Sequence, residues 1–125
     1  MAVREAWRVG LSAAWATPTI QSMKRFVPST PLGELVATHR VALLAAAELR
    51  HAREVRLFGS IARGQDTIDS DIDMLVTLDE KARPLDLLSL ACDAEDILGV
   101  RVDVGTVEAL RPEVRADALS DAVLL

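Results

Sequence analysis

One short stretch limits the possible folds of this chain more than any other. Gly59-Ser60 is followed, after residues 61–70, by Asp71-Ile72-Asp73. The first half reads Leu57-Phe58-Gly59-Ser60-Ile61-Ala62-Arg63-Gly64, and the second continues as Met74-Leu75-Val76. Val55 to Phe58 predicts a short buried strand. Gly59 then permits a sharp turn and a close approach of a ligand to the backbone. Ser60 to Arg63 predicts a single helical turn, whose first amides have no intrahelical acceptor and attract phosphate oxygens. The Ser60 hydroxyl adds a hydrogen bond to the same oxygens, and Arg63 adds a charge-assisted contact. Gly64 releases the chain into a polar loop, Gln65 to Ser70.

From Asp71 to Leu78 the pattern alternates. Side chains of a strand point to alternate faces, so Asp71 and Asp73 share one face while Ile72, Met74 and Val76 face a core. Two carboxylates so close repel each other unless a cation lies between them. Mg²⁺ suits a site of one or two carboxylates completed by substrate phosphates. A third carboxylate is expected from a neighbouring strand, and Asp103 in Val100-Arg101-Val102-Asp103-Val104 fits that place. There it would ligate a second metal ion and accept a proton from an attacking hydroxyl. Each half of the pattern alone is commonplace, as a helix N-cap or a solvated turn. Together they should arise by chance in on the order of one chain in a thousand of this length.

Composition narrows the partners. A chain of 125 residues, half of them hydrophobic, is one domain with a real core. It contains no tyrosine, so a tyrosine acceptor would have to lie on another chain. The net charge of −5 disfavours nucleic acid as the main partner, because phosphate backbones bind basic surfaces. The single cysteine excludes an intrachain disulfide and fits a cytoplasmic protein. Cys92 is expected to be a buried thiol in a helix. His39 and His51 lack metal-ligand spacing. No run is long and apolar enough to span a membrane, and the weak apolar stretch Val9 to Ala16 is not read as a signal peptide.

The organisation is expected as follows. Residues 1–30 form an N-terminal extension, bounded by Pro28-Ser29-Thr30-Pro31. Residues 31–125 form the domain. It begins with a helix from Leu32 to Arg50 and strands Val55–Phe58 and Ile72–Leu78. A loop at 79–84 leads to a helix from Leu85 to Leu98, stopped by Gly99. A strand Arg101–Val104 follows, its end made uncertain by Gly105. A helix from about Pro112 to Ala122 and an apolar tail, Val123-Leu124-Leu125, close the chain, the tail packing on the core or on a partner. The fold class is α/β (α+β): a small mixed β-sheet of three or four strands, with helices on one face.

The chain resembles the minimal nucleotidyltransferases of the DNA polymerase β superfamily, and within them the MntA-type antitoxins of HEPN/MNT toxin–antitoxin systems. The resemblance rests on Gly59, Ser60, Ala62, Arg63, Gly64, Ser70, Asp71, Ile72 and Asp73. Leu98-Gly99, Val102-Asp103-Val104 and Ala109-Leu110-Arg111-Pro112 extend it. It implies an enzyme that moves AMP from ATP, with Mg²⁺ (two ions), onto a tyrosine of a HEPN-family RNase toxin, its hetero-oligomeric partner, and so silences it. It implies Asp71, Asp73 and Asp103 as metal carboxylates and Gly59-Ser60 as the triphosphate site. Two other readings stay open: an antitoxin that neutralises by contact alone, and a nucleotidyltransferase whose acceptor is tRNA or a small molecule.

Overall fold

A computed structural model describes residues 24–125; the expectations for residues 1–23 lie outside it. Among the described residues there are five α-helices and a four-stranded mixed sheet. None of these helices is long and apolar enough to cross a membrane.

The first helix starts where local chemistry favours it. Pro31 opens α1 (Pro31–Thr38), Thr30 caps it by accepting the Gly33 amide through Oγ1, and Glu34 lies in its first turn. The long helix expected over Leu32–Arg50 is divided at His39 into α1 and α2 (Arg40–Leu49). The division has a local cause. The Thr38 hydroxyl donates to the Glu34 carbonyl at 2.8 Å and the His39 ring meets the Leu35 carbonyl at 2.9 Å. Side chains that bond carbonyls one turn back bend and weaken a helix.

Strand β1 (Arg56–Phe58) leads through a short helix α3 (Ser60–Arg63) and a loop to β2 (Ile72–Val76). Helix α4 (Asp86–Leu98) then crosses back to β3 (Val102–Thr106), which lies parallel to β2. A 3₁₀ turn (Val107–Ala109) and helix α5 (Pro112–Asp121) lead to β4 (Val123–Leu124). The strand order is β3-β2-β1-β4, and β1 is antiparallel to both of its neighbours.

Gly99 ends α4 in the left-handed conformation, φ 70°. Gly105 does not end β3, because the ladder with β2 continues through Val76↔Thr106. A Cβ at Gly105 would stand 3.9 Å from Leu75, an ordinary contact, so the position does not demand glycine. The apolar tail becomes β4: it pairs with β1, and the Leu125 amide donates to the Val55 carbonyl.

The core lies on one face of the sheet. Leu57, Ile72, Met74, Val76 and Val102 point into it and meet Val36, Leu43, Leu90 and Ala94 from the helices. Cys92 is exposed, contrary to expectation. The buried stripe of α4 is Leu90, Ala94 and Leu98, at i, i+4 and i+8, and Cys92 falls about half a turn away from it. Residues 24–30, assigned from sequence to the extension, run alongside the domain. The Phe26 amide donates to the Leu124 carbonyl, the Leu124 amide donates to the Lys24 carbonyl, and the Phe26 ring packs on the core.

Candidate active site

The sheet register brings the predicted residues together. Phe58 opposes Asp73 across the antiparallel β1–β2 pair, and Asp73 opposes Asp103 across the parallel β2–β3 pair. Directly opposed residues share a face, so Asp73 and Asp103 present their carboxylates side by side on the face away from the core.

Gly59 joins β1 to α3 with φ 72° and ψ −150°, a conformation essentially closed to other residues. A Cβ at this position would lie only 2.6 Å from Asp73 Oδ2. The glycine therefore does two things at once: it turns the chain and leaves room for the carboxylate. The first hydrogen bond of α3 runs from the Arg63 amide to the Gly59 carbonyl. The amides of Ser60, Ile61 and Ala62 precede it, as orphan donors of a first helical turn. Gly64, at φ 68°, ends α3 in the left-handed conformation.

Asp73 is half-buried, and its carboxyl is held above the usual carboxylate range. Burial is the main cause, followed by the negative charges of Asp103 and Asp71, with Arg63 acting in the opposite direction. Asp73 thus senses both of the other acidic residues. Asp71 lies just before β2, is exposed, and leans towards Arg101, whose Nε is 3.9 Å from its Oδ2. Among the described residues, no three acidic, histidine or cysteine side chains converge into a closed metal cage.

The donor set fits a hard divalent cation nonetheless. It offers carboxylate oxygens, adjacent along a ladder, with that of Asp73 destabilised in its charged form by burial and then by its acidic neighbours. Mg²⁺ typically takes one or two carboxylates and fills the rest of its octahedron with water and phosphate.

Arg63 is placed differently from the expectation of a free phosphate contact. Its Nη1 is 3.2 Å from Asp121 Oδ2 at the end of α5, and its Nε donates to Gln65 Oε1. The side chain is 44% exposed, so this is a surface ion pair of small worth that a stronger anion can displace. Sequence reasoning missed this tie to Asp121, because nothing in residues 59–73 reveals a partner so far along the chain. It also missed Arg56, read as part of an apolar run but buried beside Glu54, with Nη2 2.6 Å from Oε2. An arginine flanked by apolar strand residues, two positions after an acidic one, was the available signal.

Comparisons with known proteins identify the family. Residues 42–125 match the family described as nucleotidyltransferase domain. A protein of Methanocaldococcus jannaschii named as a protein adenylyltransferase is 38% identical over 76 residues, 60% of this chain and 82% of its own length. The protein adenylyltransferase MntA of Thermococcus cleftensis is 35% identical over 71 residues, 57% of this chain and 72% of its own. A solved structure described as a minimal nucleotidyltransferase superposes with a TM-score of 0.69 at 38% identity, covering 77% of this chain and 97% of that one. An MntA–HpeT toxin–antitoxin structure shares the fold, with a TM-score of 0.55 at 22% identity, over 71% of this chain and 70% of that one. With the family match over residues 42–125, the 38% identity to a curated relative and the shared fold, the chain belongs to the nucleotidyltransferase domain family and is an enzyme of its minimal form.

Proposed function

We propose that this enzyme is a protein adenylyltransferase of the antitoxin kind, which moves AMP from Mg-ATP onto a tyrosine hydroxyl of a HEPN-family RNase toxin. The observation that carries the reading is Asp73, seated against the Gly59 turn on one side and beside Asp103 on the other. The names of the relatives at 38% and 35% identity support protein as the acceptor. The absence of tyrosine from the chain requires a tyrosine acceptor to belong to a partner.

In this reading Ser60 and the amides of its turn hold the triphosphate, with Arg63 exchanging Asp121 for a phosphate oxygen. Asp71, Asp73 and Asp103 would hold the metal ions. Bound Mg²⁺ would neutralise charge on the triphosphate and favour in-line displacement. The acceptor oxygen forms a bond to the α-phosphorus as the bond to the β-phosphate oxygen breaks. Pyrophosphate leaves, and the acceptor proton passes to Asp103. Asp103 suits that work because it is exposed on an edge strand, within reach of a second chain.

The test is incubation of the full chain with labelled ATP, Mg²⁺ and its cognate toxin. Label on a toxin tyrosine, together with loss of RNase activity, is the expected result. Inhibition of the toxin without transfer would replace this reading with neutralisation by contact. Transfer to tRNA or a small molecule, with none to the toxin, would move the acceptor to another class.

A further inference from the structure

The loop that follows the glycine–serine turn is fastened by residues from outside the motif. The Thr30 hydroxyl donates to Asp66 Oδ2 at 2.8 Å, linking positions that are 36 residues apart. The same hydroxyl oxygen accepts the Gly33 amide at 2.9 Å, so one side chain caps α1 and ties down the loop. One residue earlier, Ser29 Oγ lies 2.6 Å from where a Cβ on Gly64 would stand. Gly64 is the residue that ends the phosphate-facing turn α3. The segment delivering Ser29 and Thr30 is itself anchored, through the Phe26 and Leu124 amides, along the outer side of β4. A continuous strap thus runs from the sheet edge, over the far end of the turn, and into α1.

We propose that Thr30 and Asp66 are positioning residues for nucleotide binding, and that the strap at residues 24–30 sets the aim of the Ser60–Gly64 turn. The proposal rests on the nucleotide-binding reading of that turn. Its physical basis is that α3 has only four residues and cannot hold its own geometry. The turn is bounded by two glycines in positive-φ conformations, which fix no direction by themselves. Rigidity must come from contacts at its ends. Asp73 occupies the Gly59 end, and Ser29, Thr30 and Asp66 occupy the Gly64 end. A loop that sways by an ångström spreads its amides over positions where they no longer converge on one phosphate.

The test separates the tie from the helix cap. Asp66→Ala removes the tie and leaves the Gly33 cap intact, Thr30→Val removes both, and Thr30→Ser keeps both. Affinity for a fluorescent ATP analogue with Mg²⁺ is measured on the full chain, alongside thermal melting and amide hydrogen exchange. Asp66→Ala and Thr30→Val should each weaken the analogue by about threefold to tenfold, the worth of one hydrogen bond. The double variant should be no weaker than Thr30→Val, and Thr30→Ser should bind as the parent does. Exchange should quicken at residues 61–66 in Asp66→Ala while α4 keeps its protection. Unchanged analogue affinity in Asp66→Ala, or losses that simply add in the double variant, would overturn the proposal. If the parent chain bound no nucleotide, the functional reading would fail by itself. The exchange data would then decide whether the tie orders the turn, and unchanged exchange at 61–66 would overturn it there too.

Discussion

Replacing Gly59 by alanine should separate two costs that the structure assigns to different places. The first is backbone strain. At φ 72° and ψ −150° an alanine sits in a region that costs ~1–3 kcal/mol. The second is the clash at 2.6 Å with Asp73 Oδ2. That oxygen is the free end of a side chain, so it will swing aside and leave the strand in place. To reach an ordinary contact of 3.4 Å it must retreat by about 0.8 Å. A shift of that size adds little to the stability loss, but a misplacement of about 1 Å in a reacting constellation costs roughly a hundredfold in rate. Gly59→Ala should therefore lose ~1–3 kcal/mol in urea denaturation and about a hundredfold in AMP transfer. Gly99→Ala is the matched control, since Gly99 also has positive φ, 70°, but a Cβ there meets nothing within 4 Å. It should lose ~1–2 kcal/mol and keep its transfer rate. Equal transfer rates in the two variants would refute the argument that Gly59 makes room for a working carboxylate.

Four further outcomes are expected. Asp73→Asn should stabilise the protein at neutral pH in the presence of a chelator while abolishing transfer. The raised carboxyl of Asp73 means that its contribution to stability is present below the ordinary aspartate range and lost as pH rises through its folded value. The advantage of Asp73→Asn in urea melts should accordingly shrink as pH falls towards that ordinary range, and an advantage independent of pH would refute it. Asp103→Asn should lower kcat far more than it raises the KM for ATP, because proton acceptance belongs to the transition state; a change confined to KM would remove its role as base. Ser60→Ala should weaken binding of an ATP analogue by ~1.5–3 kcal/mol, the worth of a hydrogen bond to a charged group, and an unchanged titration would place the triphosphate elsewhere. His51→Gly should raise the urea midpoint by the equivalent of ~0.5–1 kcal/mol. His51 has φ 60°, and its 3.5 Å contact with Asp79 is a partly exposed one of little worth.

What the sequence made legible depended on the distance over which each signal acts. Alternation from Asp71 to Val76 marked β2 and the face of Asp73 correctly, because strand geometry translates spacing into direction. Gly99 marked the end of α4 because a left-handed cap is a one-residue requirement. The break at His39 was hidden, since it depends on the side chains of Thr38 and His39 finding carbonyls one turn back. Cys92 was misplaced because α4 is apolar on more than one side: Leu85, just before it, and Leu88 are exposed, and they blur its stripe. The pairing of Arg63 with Asp121 and of Thr30 with Asp66 was beyond reach, because side chains 58 and 36 residues apart meet only through the completed sheet. For the site, the residue types were legible and their register was not. Opposing Asp73 to Asp103 required knowing that β3 lies parallel to β2, and by how much it is offset.

That parallel ladder makes the spacing of the two carboxylates a property of residues that never approach them. In a parallel pair the offset is set by the whole crossover, here residues 77–101, including α4. One residue deleted between Gly99 and Val102 could be absorbed by sliding β3 one step along β2. The slide would send Asp103 to the core face and bring Val102 or Val104 up beside Asp73. Such a chain would still carry every residue of the motif, yet it would lose stability to the buried Asp103 and would no longer pair the two carboxylates. Natural variants that silence this enzyme should therefore be sought in the crossover as well as at the aspartates, with short insertions and deletions weighing more than substitutions.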